Sequence, residues 1–236
     1  MEIHWKSVTE STNLDARDGA HGDVFAADYQ TAGRGRLDHR WESARGLNLM
    51  FSAVFGVSCV PPHEVATFPL VVGLAIARAL EAACPALVGR LAVKWPNDVL
   101  ADGRKLAGIL CELNGECVVA GVGLNVNQRE FPGEIAGRAT SLAALCGRDF
   151  DRAALLDAVL KALYDAHSTW LRRGFGAFRE EFSGRDALKG CNVSIRQTDA
   201  DAEPVSGLCE GVQSDGSLLV GGVRIYAGEA HVAGVE

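Results

Sequence analysis

The sequence predicts an α+β protein, a mixed and mostly antiparallel sheet with helices, followed by a small all-β unit. Three observations lead there. Short strand-like runs joined by tight turns dominate the first 130 residues. Helical periodicity is confined to two long stretches, one starting near Val65 and one from Asp151 to Arg173. After Gly184, roughly 50 residues carry no helical period and are cut by Gly, Asp and Ser turns. The expected division is therefore 1–184 and 185–236.

Residues 2–8 read as a strand, and Ser11 and Thr12 as the cap of a helix with Asp15 in its first turn and Gly19 as its stop. "DVFAADYQ" (23–30) is a second strand. "NLMFSAVFGV" (48–57) is a third, apolar on both faces and hence central. From Val65, the residues Phe68, Val72, Ile76, Ala79 and Leu80 fall on one helix face, with Pro69 suited to the first turn. "RLAVKWPNDVL" (90–100) is strand, turn, strand, because Pro96 breaks the ladder and Asn97-Asp98 supply turn chemistry.

"KLAGILCEL" and "CVVAGVGLNVN" form a hairpin across the turn "NGE". In its second strand Val118, Ala120, Val122, Leu124 and Val126 share one face and Gly121, Gly123, Asn125 and Asn127 the other. A glycine face leaves room for a ligand against the backbone. In the first strand, strict alternation puts Lys105 and Ala107 opposite Leu106, Gly108 and Leu110. A helix over 151–173 buries Leu156, Val159, Leu160, Leu163 and Trp170 and stops at Gly174; "FGAFREEF" is a shorter one. The five runs 191–197, 205–213, 217–220, 223–226 and 229–233 are the strands of the small β unit.

Composition narrows the function classes. A formal charge of −7 disfavours wholesale binding to nucleic acid or an anionic membrane, although a local basic patch could override it. Seven scattered cysteines, Cys59 among them, with no C-x-x-C pair, read as reduced thiols of a cytoplasmic protein. No signal peptide and no apolar run of membrane-spanning length is apparent. The six histidines show no metal-ligand spacing. There is no Walker A loop, no G-x-G-x-x-G and no G-x-S-x-G.

"TAGRGRLDHRW" (31–41) is the most pointed stretch. Gly33 and Gly35 free the backbone to approach a ligand, Arg34 and Arg36 suit phosphate oxygens, and Trp41 offers a π-face. A solvated loop, an RNA-binding arginine–glycine segment and a phosphate clamp all remain open on these residues alone. Lys94 and Asp98 flank the Pro96 turn and could present an ammonium and a carboxylate to one cleft, or simply a surface ion pair. Lys105, entering an apolar strand, either snorkels to solvent or meets an anionic ligand.

Taken together, "STN" (11–13), "Q-x-x-GRGR…W" (30–41), "KWPND" (94–98), "KLAGIL" (105–110) and "GVGLNVN" (121–127) stand in an order that resembles biotin–protein ligases. The resemblance covers about residues 5–130 by motif, and "YAGEA" (226–230) resembles that family's Gly-Glu turn in its C-terminal domain. It implies a class II synthetase-like catalytic domain followed by an SH3-like β-barrel, in a minimal form without the N-terminal DNA-binding module. The implied activity has two steps: biotin and Mg·ATP give biotinyl-5′-AMP, and a lysine of a biotin carboxyl carrier protein domain of a biotin-dependent carboxylase then takes the biotinyl group.

By the same resemblance, Ser11, Thr12, Asn13 and Gln30 hold the biotin head group, and Gly33, Arg34, Gly35 and Arg36 close over the adenylate. Trp41 forms the adenine side, with Arg34, Lys94, Asn97 and Asn125 near the nucleotide. Lys105, Arg36 and Asp98 carry catalysis; Lys105 binds the carboxylate–phosphate junction, and Asp98 is either a base for the acceptor lysine or a ligand of Mg2+. No protein-held metal site, nucleic acid or membrane is implied, and a homodimer through a sheet edge is plausible by resemblance. A lipoate or octanoate ligase or transferase and a non-catalytic biotin-adenylate sensor are the rival readings. Two departures stand out: Leu37-Asp38-His39 replaces a common Gly-Arg pair, and "EAHVAGVE" carries no arginine.

Overall fold

A computed structural model describes residues 2–37, 39–58, 60–133, 135–197 and 203–232. Asp38, Cys59 and the last four residues of "EAHVAGVE" lie outside the described residues.

A seven-stranded sheet organises the larger part of the chain. Its strands are β1 (Glu2–Lys6), β2 (Asp23–Ala27), β3 (Leu49–Gly56), β4 (Leu91–Lys94), β5 (Asp98–Ala101), β6 (Arg104–Asn114) and β7 (Cys117–Leu124), in the order β1-β2-β3-β7-β6-β5-β4. Only the β1–β2 pair is parallel, so the sheet is mixed and mostly antiparallel. β3 is central and buried along nearly its whole length, as its two apolar faces require. β6 and β7 form the hairpin, with Asn114 opposite Cys117 and Gly115 at a φ of 58°.

Helices α1 (Thr12–Asp15), α2 (Pro62–Val65), α3 (Phe68–Ala83), α4 (Leu142–Cys146), α5 (Arg152–Arg173) and α6 (Arg179–Arg185) complete this part. α3 and α5 pack on each other and, with one face of the sheet, enclose the main core. Asp151 accepts hydrogen bonds from the amides of Ala153 and Ala154 at the start of α5, and Gly174, at a φ of 62°, ends it. The 22-residue stretch Pro62–Ala83 contains 18 consecutive residues with a mean hydropathy of 1.6, enough by length and composition to cross a membrane, contrary to the expectation that no such run exists. Here most of α3 is buried against the sheet and α5, the ordinary setting of an all-round apolar core helix.

Two further expectations are corrected. Ser11 makes no side-chain cap; the N–H of Thr12 is met by Gln30 Oε1 at 2.8 Å, and α1 stops before Gly19. The alternation along β6 is broken by a register shift where Val99 and Leu100 of β5 pair with Ala107 and Lys105. Leu106, Ala107 and Ile109 all enter the core, while the Lys105 side chain lies over Gly108 on the opposite face.

β8 (Asn192–Arg196), β9 (Val205–Val212), β10 (Leu218–Val220), β11 (Val223–Ile225) and β12 (Glu229–Val232) form a second, five-stranded antiparallel sheet in the order β11-β10-β9-β8-β12. It is a small β domain set against the turn between β4 and β5. Trp95, buried, donates to the carbonyl of Gly216 at 3.0 Å, and Ala187 N donates to the carbonyl of Val93 at 3.1 Å.

Candidate active site

A cleft of about 1050 Å³ opens on the glycine face of β6 and β7 and reaches the edge of the second sheet at Gly228–Val232. Thirteen of the residues singled out in the sequence line it: Ser11, Thr12, Asn13, Gln30, Arg34, Gly35, Arg36, Trp41, Lys94, Asn97, Asp98, Lys105 and Asn125. Gly33 lies outside the lining but makes the loop possible. A Cβ there would stand 2.4 Å from the carbonyl oxygen of Trp41.

One end of the cleft is polar, and its Glu112 carboxylate is balanced by Arg34. Thr12 donates from both its backbone N and its Oγ1 to Gln30 Oε1, at 2.8 and 3.1 Å. Asn13 donates from Nδ2 to Glu112 Oε2 at 2.6 Å and to the carbonyl of Leu110 at 3.3 Å. Ser52 Oγ, fully buried on β3, is 2.8 Å from Thr12 Oγ1 and 2.6 Å from Asn13 Oδ1, and its single proton can go to one of them while its lone pairs stay able to accept. Sequence reasoning missed Ser52 and Glu112. A serine in the middle of an apolar strand and a glutamate on "CEL" were the available signals, and neither marks a site without its neighbours.

The glycine face is filled by side chains of the site rather than left bare. A Cβ at Gly121 would lie 1.9 Å from Asn13 Oδ1, and one at Gly123 would lie 2.2 Å from the Trp41 ring. Trp41 therefore lies flat on the strand backbone, with Lys105 Nζ 5.7 Å from its ring centroid.

The other end is cationic. Lys105 Nζ is 2.8 Å from Asp98 Oδ1. Lys94 pairs with Asp98 across the turn in the strand register, and burial pulls its ammonium pKa down against the opposing pull of Asp98. Asn97 stitches this turn to β6 through Nδ2 to the carbonyl of Ile109 at 2.8 Å, with a cis Trp95–Pro96 bond beside it. Asn125, buried, donates to the carbonyl of Thr140 at 3.0 Å.

The arginine loop folds as a narrow hairpin across the cleft. Trp41 N donates to Gly33 O at 3.0 Å, Gly35 N to His39 O at 2.7 Å and His39 N to Arg36 O at 3.0 Å, with Leu37 at a φ of 50°. The two arginines point to different ends. Arg34 Nη1 lies 3.1 Å from Glu112 Oε1 at the polar end. Arg36 Nη1 donates to the carbonyl of Gly228 at 3.3 Å, and burial lowers its pKa despite the nearby carboxylates of Asp98 and Glu229. His39 Nε2 stands 3.6 Å from Glu229 Oε2, so the loop touches the second sheet at two points.

The sequence profile of the Biotin/lipoate A/B protein ligase family matches residues 5–127, more than half of the chain. The chain belongs to that family. It is a ligase. It is 34% identical to a biotin–[acetyl-CoA-carboxylase] ligase of Mycobacterium tuberculosis, over 94% of this chain and 85% of that one. It is 29% identical to the bifunctional ligase/repressor BirA of Bacillus spizizenii, over 93% of this chain and 69% of that one. Among solved structures, a biotin protein ligase from Aquifex aeolicus in complex with biotin and ATP superposes with a TM-score of 0.85 at 30% identity, covering 98% of this chain and 97% of that one.

Proposed function

We propose that this ligase activates biotin with ATP and transfers the biotinyl group to a lysine of a carrier protein. The observation that carries the reading is the gradient along one cleft, from the hydrogen-bonding end at Thr12, Asn13, Gln30 and Ser52 to the cationic end at Arg36, Lys94 and Lys105. A neutral cyclic urea suits the first end and an acyl phosphate the second. The relatives named for biotin, and the Aquifex complex with biotin and ATP, support the same substrates.

In this reading the biotin carboxylate attacks the α-phosphate of ATP, forming biotinyl-5′-AMP and releasing pyrophosphate. Negative charge grows on the α-phosphate oxygens, and fixed cations in a partly dry site stabilise it. Lys105 holds the carboxylate–phosphate junction, Arg36 covers it from the loop, and Trp41 supports the adenine. Lys94, Asn97 and Asn125 are assigned to the nucleotide in this reading, whereas Arg34, expected there from the sequence, is held at the polar end by Glu112. The loop shields the acyl phosphate from water. The acceptor amine then attacks the acyl carbon and AMP leaves.

Mg2+ accompanies ATP in this proposal. Glu42, Asp98 and Glu229 are the acidic residues lining the cleft, and among the described residues no three His, Cys, Asp or Glu side chains gather as a metal site. Such a donor set fits an ion carried by triphosphate oxygens and water, with Asp98 the carboxylate nearest the lysines. Asp98, as a carboxylate already held by Lys105, can also accept the proton of the acceptor amine. The partner is a biotin carboxyl carrier protein domain of a biotin-dependent carboxylase, in the cytoplasm, with neither nucleic acid nor membrane in the reaction.

ATP–pyrophosphate exchange, measured separately with biotin, lipoate and octanoate, tests the reading. Exchange dependent on biotin is expected. Exchange with lipoate alone would transfer the proposal to that acyl group, and no exchange with any of them would leave only a binding role.

A further inference from the structure

We propose that Glu112 is the positioning residue that sets the orientation of the Asn13 amide and, through Arg34, anchors the arginine loop to the same point. The proposal rests on the biotin reading for its choice of substrate, while its structural half stands apart from that reading.

Asn13 has four hydrogen-bonding positions, and its two ends differ in chemistry. Its NH2 group meets two groups that can only accept, the Glu112 carboxylate at 2.6 Å and the Leu110 carbonyl at 3.3 Å. Its Oδ1 faces Ser52 Oγ at 2.6 Å and lies against the backbone of Gly121, where even a methyl group would collide with it. Ser52 can accept as readily as it donates, so it does not choose between the two orientations of the amide. The carboxylate does. A flipped Asn13 would turn its oxygen toward Glu112 and face carboxylate with carbonyl.

The orientation decides what Asn13 offers to a ligand. Both amide protons are already engaged, and the free valence is the second lone pair of Oδ1. Asn13 is therefore set to accept, and the ligand group it suits is an N–H, as in a cyclic urea. The other oxygen of Glu112 reaches Arg34 Nη1 at 3.1 Å. A carboxylate bridging the two ties the residue that reads the head group to the loop that covers it. Occupying the polar end would then favour loop closure, and a loop lifted by Arg34 would loosen Asn13. Glu112 itself is outside the cleft lining, so its effect is transmitted through these two partners.

The experiment compares wild type with E112Q, which keeps the size and removes the charge and the acceptor-only character. In ATP–pyrophosphate exchange, the KM for biotin should rise about tenfold while kcat changes less than twofold, because the reacting atoms lie at the other end of the cleft. R34M/E112Q should be no worse than the more impaired single variant, since the two residues act as one unit. In a ligand-free arm, limited trypsin digestion should cut after Arg34 or Arg36 several-fold faster in E112Q, with the melting temperature within about 2 °C of wild type. A KM for biotin within twofold of wild type, or unchanged loop cleavage, would overturn the proposal. If wild type shows no biotin-dependent exchange, the biotin reading falls, and the trypsin arm still decides whether Glu112 anchors the loop.

Discussion

Lys105 reaches Asp98 by passing over Gly108. Asp98 and Gly108 are direct partners across β5 and β6, and a Cβ on Gly108 would stand 3.3 Å from the Lys105 ammonium, which itself is 2.8 Å from Asp98 Oδ1. A register shift turns Lys105 to the cleft, a missing side chain opens its path, and a carboxylate meets its charge. An ammonium in an apolar strand thus has a partner before any ligand arrives.

Removing that charge should disable activation. Lys105→Ala is expected to lower kcat/KM for pyrophosphate exchange by about 10²–10³, the usual effect of deleting one fixed stabiliser of transition-state charge. Asp98→Asn should also impair it, since Lys105 loses its anchor. Exchange kinetics on both variants check this, and an Ala variant at wild-type rate would remove Lys105 from the mechanism.

Gly121→Ala should impair the polar end of the cleft alone. The new methyl group would need the space that Asn13 Oδ1 occupies, at 1.9 Å, so the amide must move or flip. Biotin affinity should fall at least tenfold by titration calorimetry, with ATP affinity nearly unchanged. Equal losses for both would indicate a general collapse of the sheet.

The loop's contacts with the second sheet should govern how long an adenylate stays bound. Glu229→Gln breaks the contact to His39 and removes a charge near Arg36. The dissociation rate of biotinyl-5′-AMP, followed after rapid dilution, should rise several-fold with little change in its rate of formation. An unchanged dissociation rate would show that the Arg36–Gly228 contact is sufficient.

Away from the site, Glu81 and Arg185 join α3 to α6 through two hydrogen bonds of 2.7 and 2.8 Å. The hydrogen bond from Arg185 holds the Glu81 carboxyl below its usual 4.5. An acid with a lowered folded pKa adds stability above its unfolded pKa and loses it as pH falls through the folded one. Glu81→Gln should therefore cost about 1–2 kcal/mol at pH 7. The gap to wild type should narrow as pH drops below 4.5, which thermal melts across that range would reveal.

The local chemistry of the chain was written in its sequence. Asp151 and Gly174 bound α5 as capping chemistry requires, and all five strands of the small sheet follow from their turn residues. The motif order placed thirteen residues in one cleft, although they come from segments far apart in the chain. These features depend on backbone propensity, periodicity and composition, which neighbouring residues determine.

What stayed illegible depends on contacts between distant segments. Strict alternation misassigned the faces of β6 because the bulge arises from pairing with β5. Ser52 carries no site signal of its own within an apolar strand; α1 supplies it by bringing Thr12 and Asn13 to within 3 Å. Glycines at 121 and 123 promised open space, and it is Asn13 and Trp41 that fill it. The sequence by itself determined the strands, the ends of α5 and most of the polar and charged residues of the cleft, though not the Ser11 cap. Only the tertiary structure decided which way each one faces, because orientation is set by partners that sequence separation hides.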